Sequence, residues 1–246
     1  MEEKEVRAIM CINAKGGTGK TLLAINLALE LSRNYKVGLI DLDVDSSNIA
    51  SLLGLKGEID IDDASHRLIP IEYNSNLKVI AMSLYYQSLG DKGICIGEKS
   101  REGYVREAIK AMWNSIDYLV FDMPGGTAIE FKTLCKLIPN CRAVIVTQPN
   151  TIEDCNRVID LCNHFKIQIL GVVENMSGSY MHGKTVICSC GCGKEFTPFA
   201  KNTVREKLPN IEFLGSIPLC QEIFESSPPL IPKEFNVIQN IIAKVV

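Results

Sequence analysis

The stretch that most constrains this chain runs from Ile9 to Thr21, IMCINAKGGTGKT. A short apolar run ends in the glycine-rich turn Ala14–Thr21, and a helix-compatible segment, Leu22–Leu31, follows at once. The turn is the phosphate-loop pattern with Ala14 in place of its first glycine. Gly16, Gly17 and Gly19 permit backbone conformations and close approaches that side chains forbid, so successive N–H groups can turn inward around phosphate oxygens. A helix beginning near Lys20 adds the positive end of its dipole at the same place. The pattern assigns Gly16, Gly17, Thr18, Gly19, Lys20 and Thr21 to a nucleoside triphosphate, with Lys20 reaching the β- and γ-phosphates and the Thr21 hydroxyl on Mg²⁺. A dinucleotide fingerprint is excluded: Gly17-x-Gly19 would need a third glycine where Leu22 stands.

Downstream, apolar runs alternate with helical spacing. Lys36–Asp43 (KVGLIDLD) is a continuous apolar run of the kind parallel strands show. Asp41, Asp43 and Asp45 alternate at its carboxyl end, where open α/β sheets bind ligands. Asp117–Met123 (DYLVFDM) is a second buried strand, and it closes in Asp122, the Walker B arrangement that presents one carboxylate to Mg²⁺-bound water. Pro124–Thr127 then suits a switch that senses the γ-phosphate. Further strands are expected at Leu77–Met82, Cys141–Pro149, Gln168–Glu174 and Phe213–Ile217, with helices at Tyr104–Asn114, Ile152–Phe165 and Phe235–Val246. Residues 54–76 read as loop-rich, punctuated by Gly54, Gly57 and Pro70. This alternation predicts an α/β fold, a P-loop NTPase with a mostly parallel sheet flanked by helices on both faces. No repeat or linker divides the 246 residues. A single domain over 1–246 is expected, with a cysteine-bearing insertion at about 176–200.

Composition narrows the function. A formal charge of −3 and a pI near 5.7 give no nucleic-acid footprint. No apolar stretch reaches membrane-spanning length, and MEEKEVR is acidic rather than leader-like, so a soluble cytoplasmic protein without nucleic-acid or membrane partners is expected. Of ten cysteines, Cys11, Cys95, Cys135, Cys141, Cys155, Cys162 and Cys220 are scattered. Most of these lie in apolar segments and read as small buried hydrophobes. Cys188, Cys190 and Cys192 are clustered among glycines, and their thiolates are soft ligands that suit an iron–sulfur cluster or Zn²⁺. His182 would be the fourth ligand of a zinc site, although loop histidines are more often solvated.

The second lysine in KGGTGKT, Lys15, resembles the deviant Walker A loop of the MinD/ParA-like ATPases. That resemblance implies a signature lysine reaching across a dimer to the partner's nucleotide. In order, AKGGTGKT, LIDLDVD, YLVFDMPGGT, VTQP, GVVENMS and LGSIP resemble the Mrp-type iron–sulfur cluster carrier ATPases, a branch of that group. The resemblance spans nearly the whole chain and is weakest from residues 54 to 105. It implies slow ATP hydrolysis by a switch rather than a bulk ATPase. Asp43 would position the attacking water and Asp41 would lie nearer the Mg²⁺ shell, with Asp45 solvated; the division among the three is open by one position. Asn175 would meet the adenine edge, and Pro218 and Leu219 would flank the base. A homodimer would hold a bridging [4Fe–4S] cluster through paired thiolates and pass it to apo iron–sulfur proteins.

This chain departs from that family in two places. The insertion carries cysteines at alternate positions where the family has Cys-x-x-Cys. Counting back from Phe199, the second family cysteine matches Cys192 and the first falls on Ser189. The pairs Cys188/Cys192, Cys190/Cys192 and Cys188/Cys190 all stay open, as does zinc in place of a cluster. The family's DLPPGTGD switch is altered to the run from Asp122 to Glu130. Two other readings remain. Cys188-Ser-Cys190 has the spacing of nickel-chaperone-like metal-insertion ATPases, though its position after GVVENM argues against them. A ParA/MinD-like positioning ATPase should show a basic patch or a terminal amphipathic helix, and the last segment, FNVIQNIIAKVV, is short with one lysine.

Overall fold

Apolar runs of four to six residues, bounded by polar turns, build the centre of the molecule as buried strands. The computed structural model describes residues 6–88, 98–126, 129–181, 183–186 and 203–246. Its first half runs β1 (Arg7–Ile12), α1 (Lys20–Leu31), β2 (Val37–Asp41), α2 (Ile49–Leu52), β3 (Asp60–Ile61), β4 (Leu68–Ile69), β5 (Ile71–Asn74), β6 (Leu77–Ile80), α3 (Met82–Ser88) and α4 (Glu98–Lys110). The second runs β7 (Tyr118–Asp122), α5 (Ile129–Leu137), β8 (Arg142–Thr147), α6 (Ile152–His164), β9 (Gln168–Met181) and β10 (Lys184–Thr185). It ends with α7 (Thr203–Lys207), β11 (Phe213–Cys220), α8 (Gln221–Glu225) and α9 (Val237–Val245).

The strand order is β10-β9-β8-β1-β7-β2-β6-β5, with β11 added on β9. Pairing is parallel except for β5 on β6 and β10 on β9, which are antiparallel. β2 and β7 are buried at every position rather than at alternate ones. Both faces of the sheet are therefore covered, as parallel strands require. α1 packs with α9 and α4 with α5. Tyr118, Phe121 and Phe131 are the largest fully buried side chains, and each such burial contributes about 1.5–3 kcal/mol.

Register places the chemistry. Cys11 of β1 and Asp41 of β2 both stand opposite Asp122 of β7. The carboxyl ends of these strands therefore finish level, at one edge of the sheet, directly beneath the glycine-rich turn.

The expected sheet is present, and the differences lie at its margins. α4 begins at Glu98 rather than Tyr104, because its polar first turn (Glu98, Lys99, Arg101) offers no apolar period to read. α5 was not anticipated: it interleaves the buried Glu130 and Thr133 with Phe131, Leu134 and Cys135. Residues 54–76 contain the antiparallel pair β3–β4 and the edge strand β5. β9 continues past Glu174 to Met181, because β11 also extends and pairs Leu219 with Ser179 and Cys220 with Tyr180. The start of the expected insertion is thus strand, returning through β10. α9 starts at Val237 because Asn236 turns left-handed, with φ of 55°. Cys11, Cys135, Cys141, Cys155, Cys162 and Cys220 are buried free thiols, while Cys95 lies outside the described residues. Among the described residues no helix is long and apolar enough to cross a membrane.

Candidate functional site

The turn between β1 and α1 is held by its carbonyl oxygens. The carbonyl of Lys15 accepts from Lys20 Nζ at 3.2 Å, that of Gly17 from Gln148 Nε2 at 2.8 Å, and that of Thr18 from Asn175 Nδ2 at 2.8 Å. A trans peptide sets its N–H opposite its carbonyl. Turning these carbonyls toward the protein therefore turns the N–H groups of Gly16, Thr18 and Gly19 the other way, as an anion cradle needs. Asn13 pins the entrance: its Nδ2 donates to the Val146 carbonyl at 2.6 Å, and its Oδ1 accepts from Lys15 N at 3.4 Å. Gly19, with φ of 96°, caps α1 without a side-chain hydrogen bond, and the first turn of α1 carries no acid. The positive end of the helix is thus left for a ligand.

Glycine is required here. A Cβ on Gly19 would sit 2.1 Å from Asn175 Nδ2, and one on Gly125 would sit 2.8 Å from Gly16 N. The second contact presses the segment after Asp122 against the cradle, where Gly126 N also donates to the Asn13 carbonyl at 3.3 Å.

Below the turn lies a dense set of charges. Lys20 is 5% exposed. Burial lowers its pKa, opposed by the nearby Asp122 and Asp43. Thr21 Oγ1 donates to Asp122 Oδ2 at 2.6 Å, while Asp122 Oδ1 is buried with no hydrogen-bond partner. Burial pushes the Asp122 carboxyl well above the usual range, and Asp41 beside it adds to the effect. Asp41 accepts from Ser47 Oγ at 2.8 Å and from the amides of Asp43 and Ile49. Desolvation still outweighs these bonds and raises it to about 7. A hard cation would reverse this balance by favouring the charged carboxylates. The Thr21 hydroxyl and the unpartnered Asp122 oxygen fit Mg²⁺, which takes a few oxygen ligands from protein and shares the rest with phosphates and water. Asp43 is half-buried, and burial raises its pKa too.

The structure brings Lys15, Lys20, Thr21, Asp41, Asp43 and Asp122 to one edge, with Lys15 exposed. Asn175 is 4% exposed, and its amide is committed to the turn. Ile217 pairs with Asn175 in register, so Pro218 and Leu219 continue past it on the neighbouring strand. Cys188, Cys190, Cys192, His182 and Thr127 lie outside the described residues; the last described residue before the cysteines, Val186, donates to the Ser179 carbonyl. Among the described residues no group of three or more His, Cys, Asp or Glu could hold a metal ion unaided. A cavity of about 640 Å³ lies elsewhere, beyond the far end of α1 between Arg33, Tyr73 and Leu230.

Sequence reasoning missed Asn13, Gln148, Ser47, Arg101 and Glu130. Only Gln148 left a signal, because it belongs to the VTQP segment that ends a strand beside the turn.

Comparison with known proteins adds context to this geometry. A family model described as NUBPL iron-transfer P-loop NTPase matches residues 5–240. The chain is 33% identical over 228 residues to an iron-sulfur cluster carrier protein of Aquifex aeolicus, covering 90% of this chain and 60% of that one. It is 31% identical over 230 residues to a cytosolic Fe-S cluster assembly factor, the Nubp2 homolog of Aedes aegypti, covering 89% and 85%. It thus spans about 60% of the length of the bacterial relative. Among solved structures it is similar to a nucleotide-binding protein of Archaeoglobus fulgidus in complex with ADP, with a TM-score of 0.69, 25% identity and coverage of 95% and 88%. The cell division ATPase MinD of Pyrococcus furiosus shares the fold, with a TM-score of 0.69, 19% identity and coverage of 98% of each chain.

Proposed function

The chain belongs to the family of NUBPL iron-transfer P-loop NTPases, and on that premise we propose that it is an ATP-dependent carrier of iron–sulfur clusters. It binds ATP through Gly16–Thr21 and hydrolyses it slowly. Two copies face each other, Lys15 of each crossing to the other's γ-phosphate, where it stabilises charge developing during phosphoryl transfer. Lys20 neutralises the phosphates from its own side. Thr21 and Asp122 would hold Mg²⁺, which would supply charge neutralisation at the phosphates. Asp43, half-buried beside Lys20, orients the attacking water. Asn175, Pro218 and Leu219 border the base.

The cargo is a [4Fe–4S] cluster held by thiolates of the Cys188–Cys192 segment, two from each copy, and delivered to apo iron–sulfur proteins in the cytoplasm. The soft donor set suits iron and sulfide, and zinc is the competing occupant. The A. aeolicus relative is named an iron-sulfur cluster carrier protein and the A. aegypti relative a cytosolic Fe-S cluster assembly factor, which supports iron–sulfur cargo. The observation that carries the nucleotide half of this reading is the cradle, with its carbonyls anchored, its helix end uncapped and an unpartnered Asp122 oxygen below it.

An anaerobic reconstitution tests the reading. Expected are a broad absorbance near the visible edge, iron and sulfide in equal numbers, one cluster per dimer, and a change in cluster loss on adding MgATP. One zinc per chain with no iron, in a chain that stays monomeric with MgATP, would overturn it.

A further inference from the structure

Arg101 stands in the first turn of α4, between the two segments that flank the cradle. Its Nη2 donates to Asp45 Oδ1 at 2.5 Å, and its Nη1 donates to Glu130 Oε1 at 3.0 Å. The two carboxylates live in different surroundings. The Asp45 side chain is 69% exposed, on the loop after β2, whereas that of Glu130 is fully buried in the first turn of α5. One turn along α4, the Tyr104 hydroxyl donates to the Asp41 carbonyl at 2.7 Å. α4 therefore grips the end of β2 and the loop beyond it, and reaches α5 with the same guanidinium.

The two arms are unequal. An exposed ion pair such as Arg101–Asp45 contributes little alone, because water screens it and two side chains must be ordered. A buried carboxylate is costly unless paired. Glu130 Oε2 is moreover buried without any hydrogen-bond partner, so the bond from Arg101 to Oε1 is its principal compensation. Glu130 thus anchors the guanidinium, and the planar fork, already placed, offers its other edge to Asp45 at small further entropic cost. The hydrogen bonds to Asp45 and Glu130 also raise the Arg101 pKa above its ordinary value. The loop has a further tie beyond itself, from Ser83 N to Ser47 Oγ at 3.0 Å, which leads to α3 rather than to α5; the bonds from Ser46 N to Asp43 Oδ1 and from Ser47 Oγ to Asp41 Oδ2 are local.

We propose that Arg101 is a positioning residue that fastens the loop carrying Asp43 to the head of α5, and so makes the segments on the two sides of the cradle move together. This rests on the proposed roles of Asp43 in orienting the attacking water and of Pro124–Thr127 as a switch that senses the γ-phosphate. Arg101 sets where Asp43 stands relative to the Pro124–Gly126 segment that leads into α5.

Arg101→Ala alone strands Glu130 as a buried, unpaired charge, so the experiment uses Arg101→Ala/Glu130→Gln beside Asp45→Ala, in the full chain. Amide hydrogen exchange without nucleotide should accelerate roughly tenfold across residues 42–48 in both variants, with α1 unchanged. With MgATP, kcat should fall roughly tenfold while KM stays within about twofold, since orientation is lost and phosphate binding is kept. Adding Asp45→Ala to the double variant should change neither quantity further. Exchange at the wild-type rate across 42–48, or wild-type kcat with faster exchange, overturns the proposal. A wild-type chain that neither binds nor hydrolyses ATP overturns the carrier reading instead, and the exchange rates then judge the fastening alone.

Discussion

Thr21 and Asp122, 101 positions apart in the chain, meet through a 2.6 Å hydrogen bond from the hydroxyl to Oδ2. The bond ties the first turn of α1 to the end of β7, and it leaves Oδ1 of the same carboxylate buried with no partner. Such a group costs about 1–3 kcal/mol while unsatisfied. Asp41 stands beside it in register and adds repulsion. The arrangement is therefore poised for a cation, and that has a measurable consequence.

MgADP should raise the thermal midpoint more than ADP with EDTA, by the free energy of metal-assisted binding. Asp122→Asn should remove that magnesium increment while leaving the chain folded, because the amide relieves the buried charge. An undiminished magnesium increment in Asp122→Asn would place the metal elsewhere.

The two lysines of the turn should separate cleanly. Lys20→Ala removes the buried cation that faces the phosphates and should weaken ATP binding by about 10- to 150-fold. Lys15 is exposed, and its proposed contact is with the other copy's nucleotide. Lys15→Ala should keep binding within about threefold and slow hydrolysis by at least tenfold. Calorimetry and a phosphate-release assay decide this, and equal losses of affinity would end the cross-dimer role.

Gly19 and Gly16 offer a paired test of the cradle. Gly19→Ala combines a φ of 96° with a Cβ 2.1 Å from Asn175 Nδ2. It should cost about 1–3 kcal/mol and also loosen the Asn175–Thr18 bond. Gly16→Ala meets nothing within 4 Å and should change stability by less than about 0.5 kcal/mol. Urea unfolding distinguishes the two, and similar costs would show that the close approach to Asn175 does not constrain the turn.

The contrast between these residues explains what was legible in the sequence. The turn, Lys20 and Thr21 could be read because their spacing is local, and Asp122 because a buried strand had to end in it. The ties that aim the turn are not local. Gln148 reaches Gly17 across 131 positions and Asn175 reaches Thr18 across 157. Which atom a buried amide faces depends on strand order and register, and apolar periodicity carries neither. The resemblance places Asn175 at the adenine edge, and no local pattern announces that its Nδ2 also holds the Thr18 carbonyl. Arg101 and Glu130 were hidden for a similar reason. α4 opens with charged residues, and α5 buries an acid among its apolar residues, so neither first turn shows a helical period.

Glu174 gives a pH prediction. It is fully buried, at the root of the strand segment that leads to the cysteines. Its carboxyl accepts long bonds from Val204 N at 3.4 Å and Ser216 Oγ at 3.3 Å. Desolvation outweighs these bonds and raises its pKa above the ordinary 4.5. The folded state therefore holds this proton more tightly than the unfolded state does. The resulting stability is full below about pH 4.5 and is lost as pH rises through the elevated folded value. Glu174→Gln should flatten that part of the profile and match or exceed wild-type stability at pH 8. Unfolding midpoints in urea from pH 4.5 to 8 provide the check, and a variant that keeps the wild-type slope would assign the dependence to another group.

The cysteines give the sharpest test of the cargo. A cluster bridging two copies needs two thiolates from each, so one of Cys188, Cys190 and Cys192 is not a direct ligand. At a two-fold axis each substitution removes a ligand from both copies at once. Cys192 has the better match to the family spacing, so Cys192→Ser should abolish assembly. Only one of Cys188→Ser and Cys190→Ser should do the same, and the other should assemble close to a full complement of iron and sulfide. Zinc produces a different pattern. A closed tetrahedral site would use all the clustered thiolates of one copy, with His182 completing it. Each cysteine substitution would then weaken the metal, His182→Ala would weaken it too, and the ratio would be one per chain with no need for a dimer. The decisive comparison is therefore the spared cysteine. If all three substitutions lower bound metal alike and His182→Ala joins them, the site is zinc and the carrier reading falls.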